Sequence, residues 1–363
     1  MADSNETMRV GLFMQPAHHP RENPTLALER DLQLIEHLDT LGFDEAWIGE
    51  HHSTGWETIA SPDIFIMAAA ARTRHIKLGS GVVPLALHHP LLVADNYVLL
   101  DHLTRGRVML GMGPGGGLPS DPYVFGLDGE TQHRRYVATL DAVAQLLTST
   151  EPLSLETEWF TLRDAVLQLR PYTHPHMPLA LVTGTNRDTL ERIGRYGTRW
   201  FVGTSPDKFD EAWEIVERSA QEVGRVAERS NAYLPVTMHL AESREQALDD
   251  IRAGAARERY DFSSPVTGAP LPDIPREAWA EHLAERPTSL IGTPGDALEK
   301  IRALRAKTGA GGLLIASKEW ASREAIWKSY ELFARFVMPE LRGSLEGLKK
   351  AEAVARQLVK QRS

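Results

Sequence analysis

Short apolar runs and longer amphipathic stretches alternate along almost the whole chain. Residues 8–15 (MRVGLFMQ) read as a strand, residues 25–41 repeat apolar positions at the helical period, and residues 45–49 form a second short apolar run. The alternation continues with an alanine-rich helix at 63–73, a β-branched strand at 75–83, a helix at 90–103, a strand at 107–113 and a long helix at 131–150. Later strands fall at 178–183, 198–202, 233–240 and 312–316, with helices at 187–196, 206–224, 243–257 and 323–337. Eight strands with intervening helices predict an α/β fold, a closed (β/α)8 TIM barrel rather than an open doubly wound sheet.

Two segments break the rhythm. Residues 151–176 hold Trp159, Phe160 and several prolines, and residues 260–294 are rich in proline, glycine and serine. Both read as insertions at the carboxyl-end face. The second reads as a lid, mobile over 260–286, because four prolines between Pro265 and Pro275 disfavour regular structure. Residues 1–341 are expected to form one domain. Residues 342–363, where Lys and Arg alternate with Leu and Val at helical spacing, read as a helical or disordered tail.

Composition narrows the function. With 363 residues, 42% of them hydrophobic, the chain can bury a large core. A net charge of -9, with no basic run interleaved with aromatics, speaks against nucleic acid. The absence of cysteine excludes disulfides, thiolate nucleophiles and iron-sulfur ligation, and fits a cytoplasmic location. The start, MADSNETMRV, has no basic segment leading into an apolar one, and no apolar run is long enough to span a bilayer. Neither export nor membrane attachment is expected.

The stretch FDEAWIGEHH (43–52) carries the strongest chemical signal. Its apolar run ends in Glu50, His51 and His52, at the strand end where parallel barrels present reactive groups; the plain alternative is a solvated turn. The glycine run 111–117 is broken by Pro114 and followed by LPSDP, so it opens no helix and is not a dinucleotide fingerprint. It leaves either a flexible loop or a strand end bare of side chains, against which a flat ligand can lie. Histidines pair at His18-His19, His51-His52 and His88-His89, yet adjacent strand residues point to opposite faces, so no metal site is expected. No P-loop or GxSxG occurs. The turn Thr183-Gly184-Thr185-Asn186 precedes a helix, and Arg134-Arg135 open another. Together they suit a phosphate, unless Thr185 or Asn186 only caps the helix.

These residues resemble the bacterial-luciferase-like family of flavin-dependent monooxygenases. The landmarks are GFDEAWIGEHH, SPDIFIMAAAARTRHIKLGSGVV, HPLLVADNYVLLDHLTRGRVMLGMGPG, PYVFG, IGTPGDALEKI, TGAGGLLI and FVMPEL, in order from residue 8 to about 341. NPTLALERDLQLIEHLDTLGFDEAWIGEHHSTGWE and LRDAVLQLRPYTHPHMP resemble the limonene-monooxygenase-like subgroup. The resemblance implies the oxygenase component of a two-component system. It would use reduced FMN (FMNH2) from a separate NAD(P)H:flavin reductase, and O2, to insert one oxygen atom into a small apolar organic substrate, terpene- or cyclic-ketone-like; a homo-oligomer is implied too.

Carried over by position, the resemblance places His51 beside the flavin, aiding oxygen activation or proton transfer, a role that an imidazole titrating near neutrality suits. It assigns phosphate contacts to Arg134 and to Thr183, Gly184, Thr185 and Asn186, and a non-prolyl cis peptide to Gly81-Val82. Gly113 and Pro114 stand where luciferase carries a cysteine and an arginine, which removes one phosphate contact. His18, His52, Trp56 and Asp121 are candidates for the substrate pocket, and Glu50, on the other face, for a structural role. The alternatives are an F420-dependent hydride-transfer enzyme of the same superfamily, a metal-dependent barrel hydrolase and a non-catalytic flavin-binding protein.

Overall fold

A computed structural model describes residues 7–15 and 17–362. Eight parallel strands form its frame: β1 (Arg9–Met14), β2 (Glu45–Ile48), β3 (Lys77–Ser80), β4 (Val108–Gly113), β5 (Leu179–Thr183), β6 (Arg199–Val202), β7 (Ala232–Leu240) and β8 (Gly312–Ala316). Each pairs with the next, and β8 closes on β1 with Arg9 opposite Gly312. The expected (β/α)8 barrel is therefore the fold. Because helices cover the outside and side chains fill the inside, both faces of a strand are dry, and the strands read as continuous apolar runs.

The barrel interior is layered. Trp47, Met109, Ala180, Phe201, Tyr233 and Leu314 pack together inside it, with Phe13, Val82 and Val182 against them. A buried carboxylate, Glu45, is satisfied there by Arg199 Nη1 at 2.7 Å, Trp47 Nε1 at 2.9 Å and the Tyr233 hydroxyl at 3.2 Å. The filled interior leaves space for a ligand only beyond the strands' carboxyl ends.

The interrupting segments are more ordered than their composition suggests. Residues 151–176 contain an antiparallel hairpin, Leu153–Glu156 with Thr161–Ala165. In the expected lid, the helix Arg244–Arg257 continues through a wider turn, Glu258–Ser263, into Ser264–Thr267. Pro265 sits in the first turn of that last piece, where a missing N–H costs nothing. Trp279, Ala280 and Leu283 of the helix Trp279–Ala284 are buried against Ile251 and Ala255. Ser289–Gly292 is a fully buried strand paired with Thr237–Leu240 of β7, outside the closed ring. The helix Pro294–Thr308 follows, started by a Thr293/Asp296 capping box. The longest stretch of the 260–294 segment without helix or strand is residues 268–275, with shorter ones at 285–288 and 293. The tail is a helix, Glu346–Arg362, exposed over 346–361. Among the described residues no helix is long and apolar enough to cross a membrane.

Candidate functional site

The carboxyl ends of β1 to β5 open onto a cavity of about 390 Å³. Phe13, Val82 and Val182, which cap the barrel interior, supply its apolar floor, and Gln15, Glu50 and His51 follow β1 and β2 into its wall. The Gly81-Val82 peptide is cis, as the resemblance implied, and both residues line the cavity. Gly113 ends β4 beside this floor, where a Cβ would lie 2.7 Å from both Val82 Cγ2 and Val182 Cγ1. A side chain at that position would wedge the floor apart.

His51 is the most constrained polar group in the cavity wall. Its Nδ1 lies 2.9 Å from Asp121 Oδ2, while Asp121 Oδ1 accepts from the His52 amide at 2.8 Å. Asp121 is buried, and its place on the short helix Ser120–Val124 is what brings it from 70 residues away. The other ring nitrogen, Nε2, lies 3.2 Å from Gln15 Nε2 and 3.2 Å from Glu57 Oε2. Burial alone would lower the imidazole pKa, but the hydrogen bond to Asp121 and the charges of Glu57, Asp121 and Glu50 outweigh it and raise the value above 6.5. Glu57 moves upward as well, chiefly because it is buried. Asp121 therefore both lines the cavity and orients its histidine.

Glu50 holds the adjacent wall. Its Oε1 lies 3.1 Å from His52 Nε2 and 2.5 Å from His88 Nε2, with its side chain almost fully buried. His52 itself does not line the cavity, and Phe125 packs edge-on to its ring at 5.2 Å.

Across the cavity, Thr183, Gly184 and Asn186 line the turn that leads into the helix Arg187–Tyr196. The Thr183 carbonyl accepts from Trp200 Nε1 at 2.8 Å and from the Gly203 amide at 2.9 Å, which fixes the turn. Asn186 caps the helix by accepting from the Thr189 amide. Thr185 is exposed and does not line the cavity.

Three further sequence candidates lie elsewhere. Arg134 does not line the cavity. Its exposed guanidinium pairs with Glu158 at 2.9 Å and lies over the Trp159 ring, because the buried face of the helix Gly129–Thr148 carries Gln132, Tyr136 and Leu140 and position 134 points about 100° or more away. His133, one residue earlier, lines the cavity instead. His18 is buried outside it, between Asp31 at 2.8 Å and Glu319 at 3.2 Å. Burial would lower its pKa, but hydrogen bonds to those two carboxylates outweigh that and raise it to about 9. Trp56, half-buried, packs on His19 and on Phe262 of the 258–263 turn rather than lining the cavity.

Among the described residues one set, His18, Glu22 and Glu319, brings possible metal-ligand atoms within 4.8 Å of one another. Arg30 already occupies it as a cation, contacting Glu22, Glu319 at 2.5 Å and His18 at 3.3 Å. Sequence reasoning missed Gln15, Glu57 and His133. For Glu57 the one available signal was a lone carboxylate in the otherwise uncharged stretch 53–62.

Fold and site thus define a TIM-barrel protein whose polar groups gather at the strands' carboxyl ends over an apolar floor. Comparison with known proteins narrows this further. The family description of luciferase-like monooxygenases matches residues 8–311. The 4-hydroxyprotoasukamycin monooxygenase of Streptomyces nodosus subsp. asukaensis is 42% identical over 353 residues, covering 94% of this chain and 95% of that protein. Limonene 1,2-monooxygenase of Rhodococcus erythropolis is 40% identical over 353 residues, covering 95% and 89%. Among solved structures, the oxygenating constituent of 3,6-diketocamphane monooxygenase from Pseudomonas putida, a type II Baeyer-Villiger enzyme in complex with FMN, superposes with a TM-score of 0.76 at 22% identity, covering 92% of this chain and 98% of that one. The chain belongs to the luciferase-like monooxygenase family. It is accordingly an oxidoreductase by family.

Proposed function

We propose that this chain is the oxygenase component of a two-component flavin system. It takes reduced FMN from a separate NAD(P)H:flavin reductase and uses O2 to insert one oxygen atom into a small apolar organic substrate of terpene or cyclic-ketone type. The observation that carries this reading is one cavity that joins an apolar floor (Phe13, Val82, Val182), the buried His51–Asp121 pair and a helix-opening turn. The names of the two relatives at 40% and 42% identity support it.

The residues fit a flavin. A flat ring system can lie along the Gly81-Val82 backbone, where Gly113 presents no side chain. A phosphate suits the Thr183–Asn186 turn at the N-terminus of the helix Arg187–Tyr196, where amides and dipole favour an anion. Arg134 would join it by leaving both Glu158 and the Trp159 ring and reaching across from the exposed side of its helix; the exposed ion pair itself holds it by under about 1 kcal/mol. When bound, reduced flavin supplies the electrons that O2 needs. The protein's share is to exclude water with Phe13, Val82 and Val182 and to hold a proton on His51, whose ring Asp121 keeps in one orientation. Exposed Ile64, Leu92, Leu99 and Leu103, on the neighbouring helices Pro62–Arg72 and Pro90–Thr104, support a homo-oligomer.

The test is to load the chain anaerobically with reduced FMN or reduced F420, then admit O2 in the presence of terpenes and cyclic ketones. Product only with FMN, and only after O2, is expected. Reduction of a substrate by F420 without O2 would overturn the reading in favour of hydride transfer.

A further inference from the structure

Asp121 accounts for one edge of the His51 ring and leaves the other to be explained. Nε2 also lies 3.2 Å from Glu57 Oε2, a buried oxygen with no hydrogen-bond partner among the described residues. A neutral imidazole carries a single N–H. With that hydrogen on Nδ1 toward Asp121, Nε2 can accept from the Gln15 amide, but the ring is then neutral and the buried Glu57 Oε2 beside it has no partner of opposite charge. A ring protonated on both nitrogens sets a positive charge beside Glu57 as well as Asp121.

Gln15 is compatible with this state. Its amide nitrogen faces the same Nε2 at 3.2 Å, and a half-turn of the amide presents its oxygen to the N–H instead.

We propose that Glu57 is a positioning residue that keeps a proton on His51 Nε2, so that His51 meets the cavity as a proton donor. Gln15 lines the cavity and Glu57 does not, so the shared Nε2 edge lies between the ligand space and the carboxylate beside it. The other charges around the pair do not replace this role. Asp121 is engaged at Nδ1 and Glu50 is held by His52 and His88. Lys318, which favours the charged form of Glu57, is itself paired with Glu258 at 2.6 Å; Glu258 and Asp121 act on Glu57 in the opposite sense. The protonation of His51 matters only if the cavity is the reaction site, so this inference rests on the functional reading above.

Its test does not. Histidine-labelled full-length protein, free of flavin, is titrated by NMR, with His51→Gln to assign the resonance. Both ring nitrogens of His51 should be protonated at neutral pH. Glu57→Gln should lower the midpoint by about one unit or more, the effect of losing one opposite charge in contact, and Glu57→Asp should restore part of it. A neutral His51 in the wild type, or an unchanged midpoint in a folded Glu57→Gln protein, would overturn the proposal. Should Glu57→Gln fail to fold, the wild-type spectrum decides alone. With reduced FMN and O2, product formation by Glu57→Gln should lose its high-pH limb first, at unchanged KM for the organic substrate. No product from the wild type at any pH would strike the functional reading and leave the titration result standing.

Discussion

Replacing Asp121 by Asn tests how the site holds its histidine. In the native protein Oδ2 accepts from His51 Nδ1 at 2.9 Å and Oδ1 accepts from the His52 amide at 2.8 Å, in a residue 4% exposed. Asparagine keeps an oxygen for His52 but turns an NH2 donor toward the His51 N–H. The loss is one charge-assisted hydrogen bond, about 1.5 to 3 kcal/mol, which shifts the folding equilibrium by roughly ten- to over a hundredfold. The pH dependence has a definite sign. Asp121 is among the groups that raise His51 above 6.5, and a histidine with a raised folded-state pKa stabilises fully below its unfolded value and loses that contribution as pH rises through the folded one. The stability gap between wild type and Asp121→Asn, read from urea unfolding, should therefore be widest below about pH 6.5 and narrow in mild alkali. Product per flavin oxidised should fall about 100-fold or more as the ring loses its orientation. A gap that ignores pH, together with unchanged product yield in a folded variant, would refute the argument.

Three further outcomes are expected. Gly113→Ala should cost about 1 to 3 kcal/mol in thermal unfolding and weaken flavin binding, because its Cβ meets Val82 and Val182 at 2.7 Å. Arg134→Ala should change stability by no more than about 0.5 kcal/mol, since its ion pair is exposed. It should weaken reduced FMN about tenfold while leaving reduced riboflavin unaffected, which fluorescence or absorbance titration can check. If residues 260–286 act as a lid, limited proteolysis should cut first within 268–275, and bound flavin should slow the cutting.

The barrel strands were legible because most of them, buried on both faces, are compact apolar runs between polar helix starts, and Lys77–Ser80 falls within the β-branched run at 75–83. Ser289–Gly292 was not, since four residues of SLIG amid proline and threonine look like loop until β7 offers them a partner. Helical order over 258–267 was hidden for a similar reason: its anchors, Tyr260 OH on the Ile274 carbonyl and the Tyr260 ring edge-on to Trp279, are tertiary. At the site, His51 announced itself as a sudden polar cluster at a strand end. Of its two carboxylate neighbours, Asp121 was read as a pocket residue but not as the partner of His51, because it arrives from another βα unit, and Glu57, on a loop, was missed. Arg134 stood out in sequence by its charge, whereas the helix phase selects His133.

On the proposed function, this chain oxygenates with reduced flavin that another enzyme makes. The direct measurement combines the purified chain, FMN, NADH and isotopically labelled O2 with an apolar terpene or cyclic ketone, with and without an unrelated flavin reductase. One labelled oxygen atom is expected in the product when the reductase is present, none when it is omitted, and a single turnover when chemically reduced FMN replaces it. Labelled product from NADH and oxidised FMN with no reductase, or product oxygen drawn from water, would contradict it.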